Sequence, residues 1–199
     1  MGRRSVHTPE ELRHLILGAA RGIVEREGLV GLSAREVARL IGYSAGTLYN
    51  IFENLDDVLL TLQSQMLGDV VERMKSAPRD HDPKRNFDSL VRCYVNFALE
   101  NRKLWNLLFA HPLPPGTTVP PAFEGYAKTI LAMVADALTP LTPSQTPEAG
   151  AKAASTLWGG VHGTVAIAVT SKAPTLNVTT VQASVADLTS TFIKGLKAG

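Results

Sequence analysis

Apolar residues recur at helical spacing along most of the chain. Leu12, Leu15, Ile16, Ala19, Ala20 and Ile23 follow the i, i+3, i+4, i+7, i+8 rhythm of one helix face. Thr8-Pro9-Glu10-Glu11 opens that segment with an N-cap hydroxyl, a proline at the first helical position and a glutamate placed to reach back to the cap. Gly28 stands where a left-handed residue would stop it. A second capping box, Ser33-Ala34-Arg35-Glu36, predicts a short helix with Val37, Ala38, Leu40 and Ile41 on its inner side, ended by Gly42 after about two turns. Ser44 caps a third helix from Ala45, with Leu48, Ile51 and Phe52 inward and Ala45, Gly46, Thr47, Tyr49 and Asn50 on or near the outer face. Asn54-Leu55-Asp56-Asp57 caps a fourth helix reaching about Met74.

Past the proline-containing break at 76–84 the pattern stays helical. Phe87, Leu90, Val91, Tyr94, Val95 and Ala98 form one stripe, continued after Asn101 by Leu104, Trp105, Leu108 and Phe109. Five prolines from Pro112 to Pro121 enforce a loop, helical spacing resumes over 122–138, and two last segments cover about 148–171 and 178–197. No run alternates with period two for long enough to be a strand, and no internal repeat is found. The expected fold is all-α with about nine helices. A three-helix N-terminal domain spans 1–55, and a larger helical C-terminal domain spans 56–199.

Composition narrows the class. A chain that is 45% hydrophobic and 19% charged can bury a core and is not disordered. One cysteine, Cys93, allows no internal disulfide and fits a reducing cytoplasm. Flanked by Tyr94 and Phe97, it is expected to be a buried thiol. Met1-Gly2-Arg3-Arg4 runs into Glu10 and Glu11 without an apolar stretch, so no secretory signal is expected. The net charge of +2 points to no partner. Residues 1–60 hold seven basic against eight acidic groups, while residues 101–199 hold only 11 charges, which predicts a half that is buried or pressed against a partner. The charge-free run 153–171 raises a membrane span, but Ser155, Thr156, His162, Thr164 and three glycines interrupt it. A buried helix pairing with 178–197, of its own chain and of a second copy, fits better. That arrangement is a four-helix dimer interface.

The informative unit is 33–52. Two short capped helices joined by a tight glycine turn form a helix-turn-helix, whose second helix can enter a major groove. The first N–H groups of that helix suit a phosphate, and Gly46 lets the backbone approach a duplex closely. Ala45 and the Thr47 methyl suit a thymine methyl, while the Thr47 hydroxyl and the Asn50 amide can read base edges. Tyr49 can bond a phosphate through its hydroxyl. The other reading of this unit is an ordinary helical hairpin.

The string from Leu32 to Arg39, followed by Ile41-Gly42-Tyr43-Ser44-Ala45-Gly46-Thr47-Leu48-Tyr49-Asn50-Ile51-Phe52, resembles the TetR (tetracycline-repressor-type) family over about residues 9–60. The resemblance implies a homodimer that binds palindromic double-stranded operator DNA through its N-terminal domain. It also implies a helical C-terminal domain that dimerises and takes a small-molecule effector. Backbone contacts would fall on Thr47 and Tyr49, and base contacts around Ala45, Gly46 and Asn50. Ser33, Arg35 and Ser44 complete the candidate DNA-facing set, and Arg3 and Arg4 could act as a minor-groove arm. The family commonly carries lysines where this chain has Ala45 and Leu55. Their absence, with Asp56 and Asp57 nearby, implies a shallower salt dependence.

Trp158-Gly159-Gly160-Val161-His162-Gly163 resembles the Trp…His-Gly signature of one TetR C-terminal subfamily. Trp105, Phe109, Tyr126, Met133, Trp158 and His162 could line an effector pocket, although for any one of them core is the favoured reading, and for His162 a hydrogen-bonded interior ring. The five histidines show no metal-ligand spacing, so neither a metal nor a cofactor is expected. An enzyme would need paired acids or a nucleophile with a base. Glu124, Asp136, Glu148 and Asp187, the acids of 101–199, are spread over different segments. The expected function is a cytoplasmic repressor released from its operator by an effector. An activator, or a regulator without effector, would differ only in the C-terminal half.

Overall fold

The computed structural model describes residues 7–110, 118–170 and 176–198, apart from the side chains of 109 and 110. The described residues form nine α-helices and two short 3-10 turns, with no strand. The helices are α1 Pro9–Glu27, α2 Ala34–Ile41, α3 Ala45–Tyr49, α4 Leu55–Lys75, α5 Pro83–Glu100, α6 Arg102–Ala110, α7 Pro121–Leu138, α8 Pro147–Thr170 and α9 Val181–Ala198. They fall into two compact units, Met1–Met66 with Lys103–Phe123 and Leu67–Arg102 with Glu124–Gly199. Arg3 and Arg4 lie outside the described residues.

In the first unit the helix ends follow from side-chain capping. Thr8 Oγ1 accepts from the Glu11 N–H at 3.2 Å, and the Glu11 carboxylate accepts from the Thr8 N–H at 2.7 Å. Both halves of that capping box are present. At α2 only one half forms. Ser33 Oγ accepts from the Glu36 N–H at 3.2 Å, but Glu36 turns away from the cap to a two-pronged pair with Arg39 at 2.6 and 2.8 Å. The guanidinium wins because a charge-assisted fork is stronger than a single bond to a backbone N–H. Gly42, at φ +74° and ψ 27°, ends α2 in the left-handed region. Asn54 Oδ1 accepts from the Asp57 N–H at 2.9 Å, and Asp57 returns the bond to the Glu53 N–H at 3.2 Å, opening α4.

The core of this unit sits under α1. Ile16, Ala20, Ile23, Val24, Val37, Leu48 and Val58 are fully buried, and Phe52 nearly so. Two positions read as inward face outward. Leu15 is 38% exposed and Leu40 42%. Each lies at the edge of its helix's apolar arc, about 100° per residue from the buried centre, so Leu17 and Val24 fill the space on α1 instead. Gln63 Nε2 donates to the Leu107 carbonyl at 2.9 Å, and the Lys103 ammonium donates to the Arg26 carbonyl, which fastens α6 to this unit.

In the second unit Asp82 caps α5 by accepting from the Lys84 N–H at 2.8 Å, and α5 buries Phe87, Tyr94, Val95 and Ala98. α8 and α9 pack along one another through Leu157, Val161, Val165 and Ala168 against Val181, Val185, Thr189 and Ile193. Cys93 is half-buried rather than buried. It lies one helical step from Tyr94, which takes the inward position. Among the described residues, no helix is long and apolar enough to cross a membrane.

The two turn glycines of the helix-turn-helix make opposite predictions for stability. Gly42→Ala forces a side chain into the left-handed region and should cost about 1 kcal/mol in urea unfolding. Gly46 has no positive φ, and a Cβ there would meet only Ser44 Oγ at 3.7 Å. Gly46→Ala should therefore leave stability unchanged or slightly raised.

Candidate nucleic-acid interface

The outer face of α2 and α3 is built from the caps outward. Ser44 Oγ accepts from the Thr47 N–H at 3.3 Å and lies 3.1 Å from Thr47 Oγ1, so the Thr47 hydroxyl is tied to the cap. Leu48 turns inward with no exposure and anchors α3. On the other side Gly46 and Asn50 are exposed and Tyr49 is 51% exposed, while Ala45 and Thr47 are half-buried. Five residues give α3 a small dipole, which leaves close approach and side-chain donors as its means of holding a phosphate. Nothing in the fold requires glycine at 46. A surface kept bare for no internal reason suits an external one.

The cations near this face are few. Arg35 is exposed, with no ion-pair partner among the described residues. Arg39 is committed to Glu36, whose carboxyl the guanidinium holds below its ordinary range. Asp57 is occupied in capping α4. Ser33, on the cap of α2, is exposed beside Arg35.

One contact that sequence reasoning did not single out helps to position this face. His7 Nδ1 lies 2.6 Å from Tyr43 Oη, joining the start of α1 to the turn between α2 and α3. The partners stand 36 positions apart, and no periodicity links them. Below the face, the Arg13 guanidinium stacks over the Phe52 ring at 4.4 Å and donates to Thr61 Oγ1 at 3.3 Å.

The six candidate effector residues are distributed over both units. Trp105 is fully buried on α6 in the first unit, where the Phe109 side chain is not among those described. In the second unit Trp158 and His162 come together, one helical turn apart on α8, with ring centroids 5.8 Å apart. Tyr94 of α5 joins them: its ring centroid lies 4.2 Å from that of Trp158, and its hydroxyl bonds His162 Nδ1. Burial pushes the Tyr94 hydroxyl up and the His162 ring down to about 4. Tyr126 of α7 rests on Gly68 of α4, where a Cβ would come within 3.1 Å of its ring, and Met133 is half-buried on α7. Tyr94 was legible only as core, since its partner lies 68 positions away. Among the described residues, no group of His, Cys, Asp and Glu is arranged to hold a metal ion.

A helix-turn-helix with exposed small and hydrogen-bonding residues on its second helix is an arrangement that can enter a major groove. The family model described as Tetracyclin repressor-like, C-terminal domain matches residues 87–192. The chain belongs to this TetR family of transcriptional regulators. It is similar to the HTH-type transcriptional regulator Rv1816 of Mycobacterium tuberculosis, 24% identical over 132 residues that cover 65% of this chain and 56% of the relative. The chain thus spans little more than half the length of the curated relatives it matches. Its fold is similar to FadR from Bacillus subtilis solved with stearoyl-CoA, with a TM-score of 0.68 and 18% identity, covering 89% of this chain and 97% of that one. It is similar as well to FadR of Thermus thermophilus, a TetR-family repressor solved with lauroyl-CoA, with a TM-score of 0.65 and 18% identity over 92% and 94% of the two chains.

The buried histidine sets a pH dependence whose sign is fixed. His162 is neutral in the folded chain down to about pH 4, against 6.5 ordinarily. The unfolded state therefore binds more protons between those values, and stability falls as pH drops through that window, by about 3 kcal/mol. Urea unfolding of His162→Gln across pH 7 to 4 should lack that part of the slope.

Proposed function

We propose that this chain is one subunit of a homodimeric repressor. It holds palindromic double-stranded operator DNA with residues 33–52 and releases it when a small molecule binds. The observation that carries this reading is the outer face of α3, where Gly46, Tyr49 and Asn50 are exposed on a capped turn whose fold does not need glycine at 46. In this reading residues 1–55 read the DNA, with Arg3 and Arg4 reaching the minor groove. Residues 56–199 dimerise and bind the effector. The two α3 helices of a dimer would enter major grooves about 34–36 Å apart.

The dimer surface assigned to α8 and α9 is supported by what this chain leaves uncovered. Ile167 is 50% exposed, and a Cβ at Gly159 or Gly163 would meet nothing within 4 Å. An effector is supported by the two FadR proteins solved with acyl-CoA, so long-chain acyl-CoA compounds are the first to test. Trp105, Phe109, Tyr126, Met133, Trp158 and His162 remain the candidate lining, and Tyr94 joins them through His162. The reading is a binding protein rather than an enzyme, working in the cytoplasm where the DNA is. The effector acts by preferring a conformer with a different spacing of the α3 helices, and only by its difference in affinity between conformers.

Gel shift and footprinting on the DNA just upstream of the protein's own gene test the reading. Tyr49→Phe should weaken binding to every sequence, and Asn50→Ala should relax preference at particular bases. Gly46→Ala should weaken binding with no loss of stability, which separates its role from folding. Ala45→Lys should steepen the salt dependence by about one unit of slope. Footprints unchanged by all four substitutions would show that α3 is not the reading helix.

A further inference from the structure

The turn between α4 and α5, with α5 and α9, carries two adjoining cavities that neither the DNA-facing residues nor the candidate effector lining uses. The first, about 330 Å³, is lined by Arg79, Asp80, Arg85, Asp88, Ser89 and Arg92, with Pro78. The second, about 170 Å³, has an apolar wall of Val91, Val95, Val185 and Ala186. Asp88 and Arg92 line both, so a polar cavity and an apolar one share a rim.

The charges around them are unevenly committed. Arg85 pairs with Asp80 at 3.4 Å and Asp82 at 3.8 Å, and Lys84 pairs with Asp88 at 2.5 Å. Each acid facing the cavities is thereby held by a cation. Arg79 and Arg92 make no ion pair or hydrogen bond among the described residues. Ser89 is only 6% exposed and lines the first cavity, and its hydroxyl too has no hydrogen-bond partner among the described residues. The hydroxyl is not sealed off but opens onto the cavity, so it can bond a polar atom from outside the chain.

The geometry points to a binding site for a phosphate ester that carries a short apolar substituent. Its phosphoryl oxygens accept hydrogen bonds from Arg79, Arg92 and the Ser89 hydroxyl, and its apolar part lies against Val91, Val95, Val185 and Ala186. Two guanidinium groups and a hydroxyl offer more donors than the two oxygens of a carboxylate can use, and they suit the tetrahedral oxygens of a phosphate. The apolar wall is four small side chains on two helices, which suits a substituent of a few carbons.

Titration calorimetry of the full chain with hexyl phosphate, inorganic phosphate, hexanoate and hexanol tests the proposal. Hexyl phosphate should bind at least about tenfold more tightly than each of the other three. Arg79→Gln, Arg92→Gln and Ser89→Ala should each weaken it by about fivefold or more, and the first two positions are exposed, so those variants keep the fold. Ala186→Phe, which fills the apolar cavity, should reduce hexyl phosphate to the affinity of inorganic phosphate and leave inorganic phosphate unchanged. Equal binding of hexanoate, binding to phosphatidic acid vesicles without binding of hexyl phosphate, or titrations that no substitution alters would each overturn the proposal. None of these residues lies in 33–52. Operator binding measured without ligand therefore reports on the regulator reading separately.

Discussion

Helices of eight and five residues do not hold themselves together in water, and the candidate nucleic-acid interface is made of two of them. What holds them is satisfaction of their ends together with burial of one side. Ser33 and Ser44 each take a first-turn N–H, and Gly42 ends α2 in the left-handed region. Val37, Ala38, Leu48 and Phe52 then fasten both helices to the unit's core. Everything the outer face presents depends on that inner attachment. Tyr49 and Asn50 are placed by Leu48 and Phe52, residues that never reach the surface.

Those attachments were legible because they are local. Caps, prolines at first positions and glycine stops act within four residues, so all nine helices could be placed from spacing alone. The reading failed where the outcome depends on neighbours distant in the chain. Leu15 and Leu40 lie on apolar arcs and yet face outward, because the width of an arc is set by what packs against it. Glu36 fits a capping box by spacing but prefers Arg39 one turn later. Of the candidate pocket, Trp158 and His162 were legible through their motif and do meet, while Tyr94 entered only through a bond spanning 68 positions. The cavities beside Arg92 depend on α9 lying near α5, which no local pattern encodes.

The charge balance also reads differently with the fold in view. A −1 balance over the first 60 residues suggests a poor partner for DNA. Several of those acids, however, are spent inside the unit: Glu11 and Asp57 on backbone caps, Glu36 on Arg39, Glu25 on Arg21. Formal charge counts groups that the fold has already committed. Arg35, exposed and unpaired among the described residues, is a better guide to the outward field than the sum.

The bond between His7 and Tyr43 has a consequence for how α3 is aimed. Burial holds the inner sides of α1, α2 and α3 against a common core, but apolar packing is non-directional and sets their angles loosely. A hydrogen bond from the start of α1 to the turn has a preferred direction. The tyrosine of the turn thus does more than shape it: it acts as a locating pin, setting the pitch of α3 against α1.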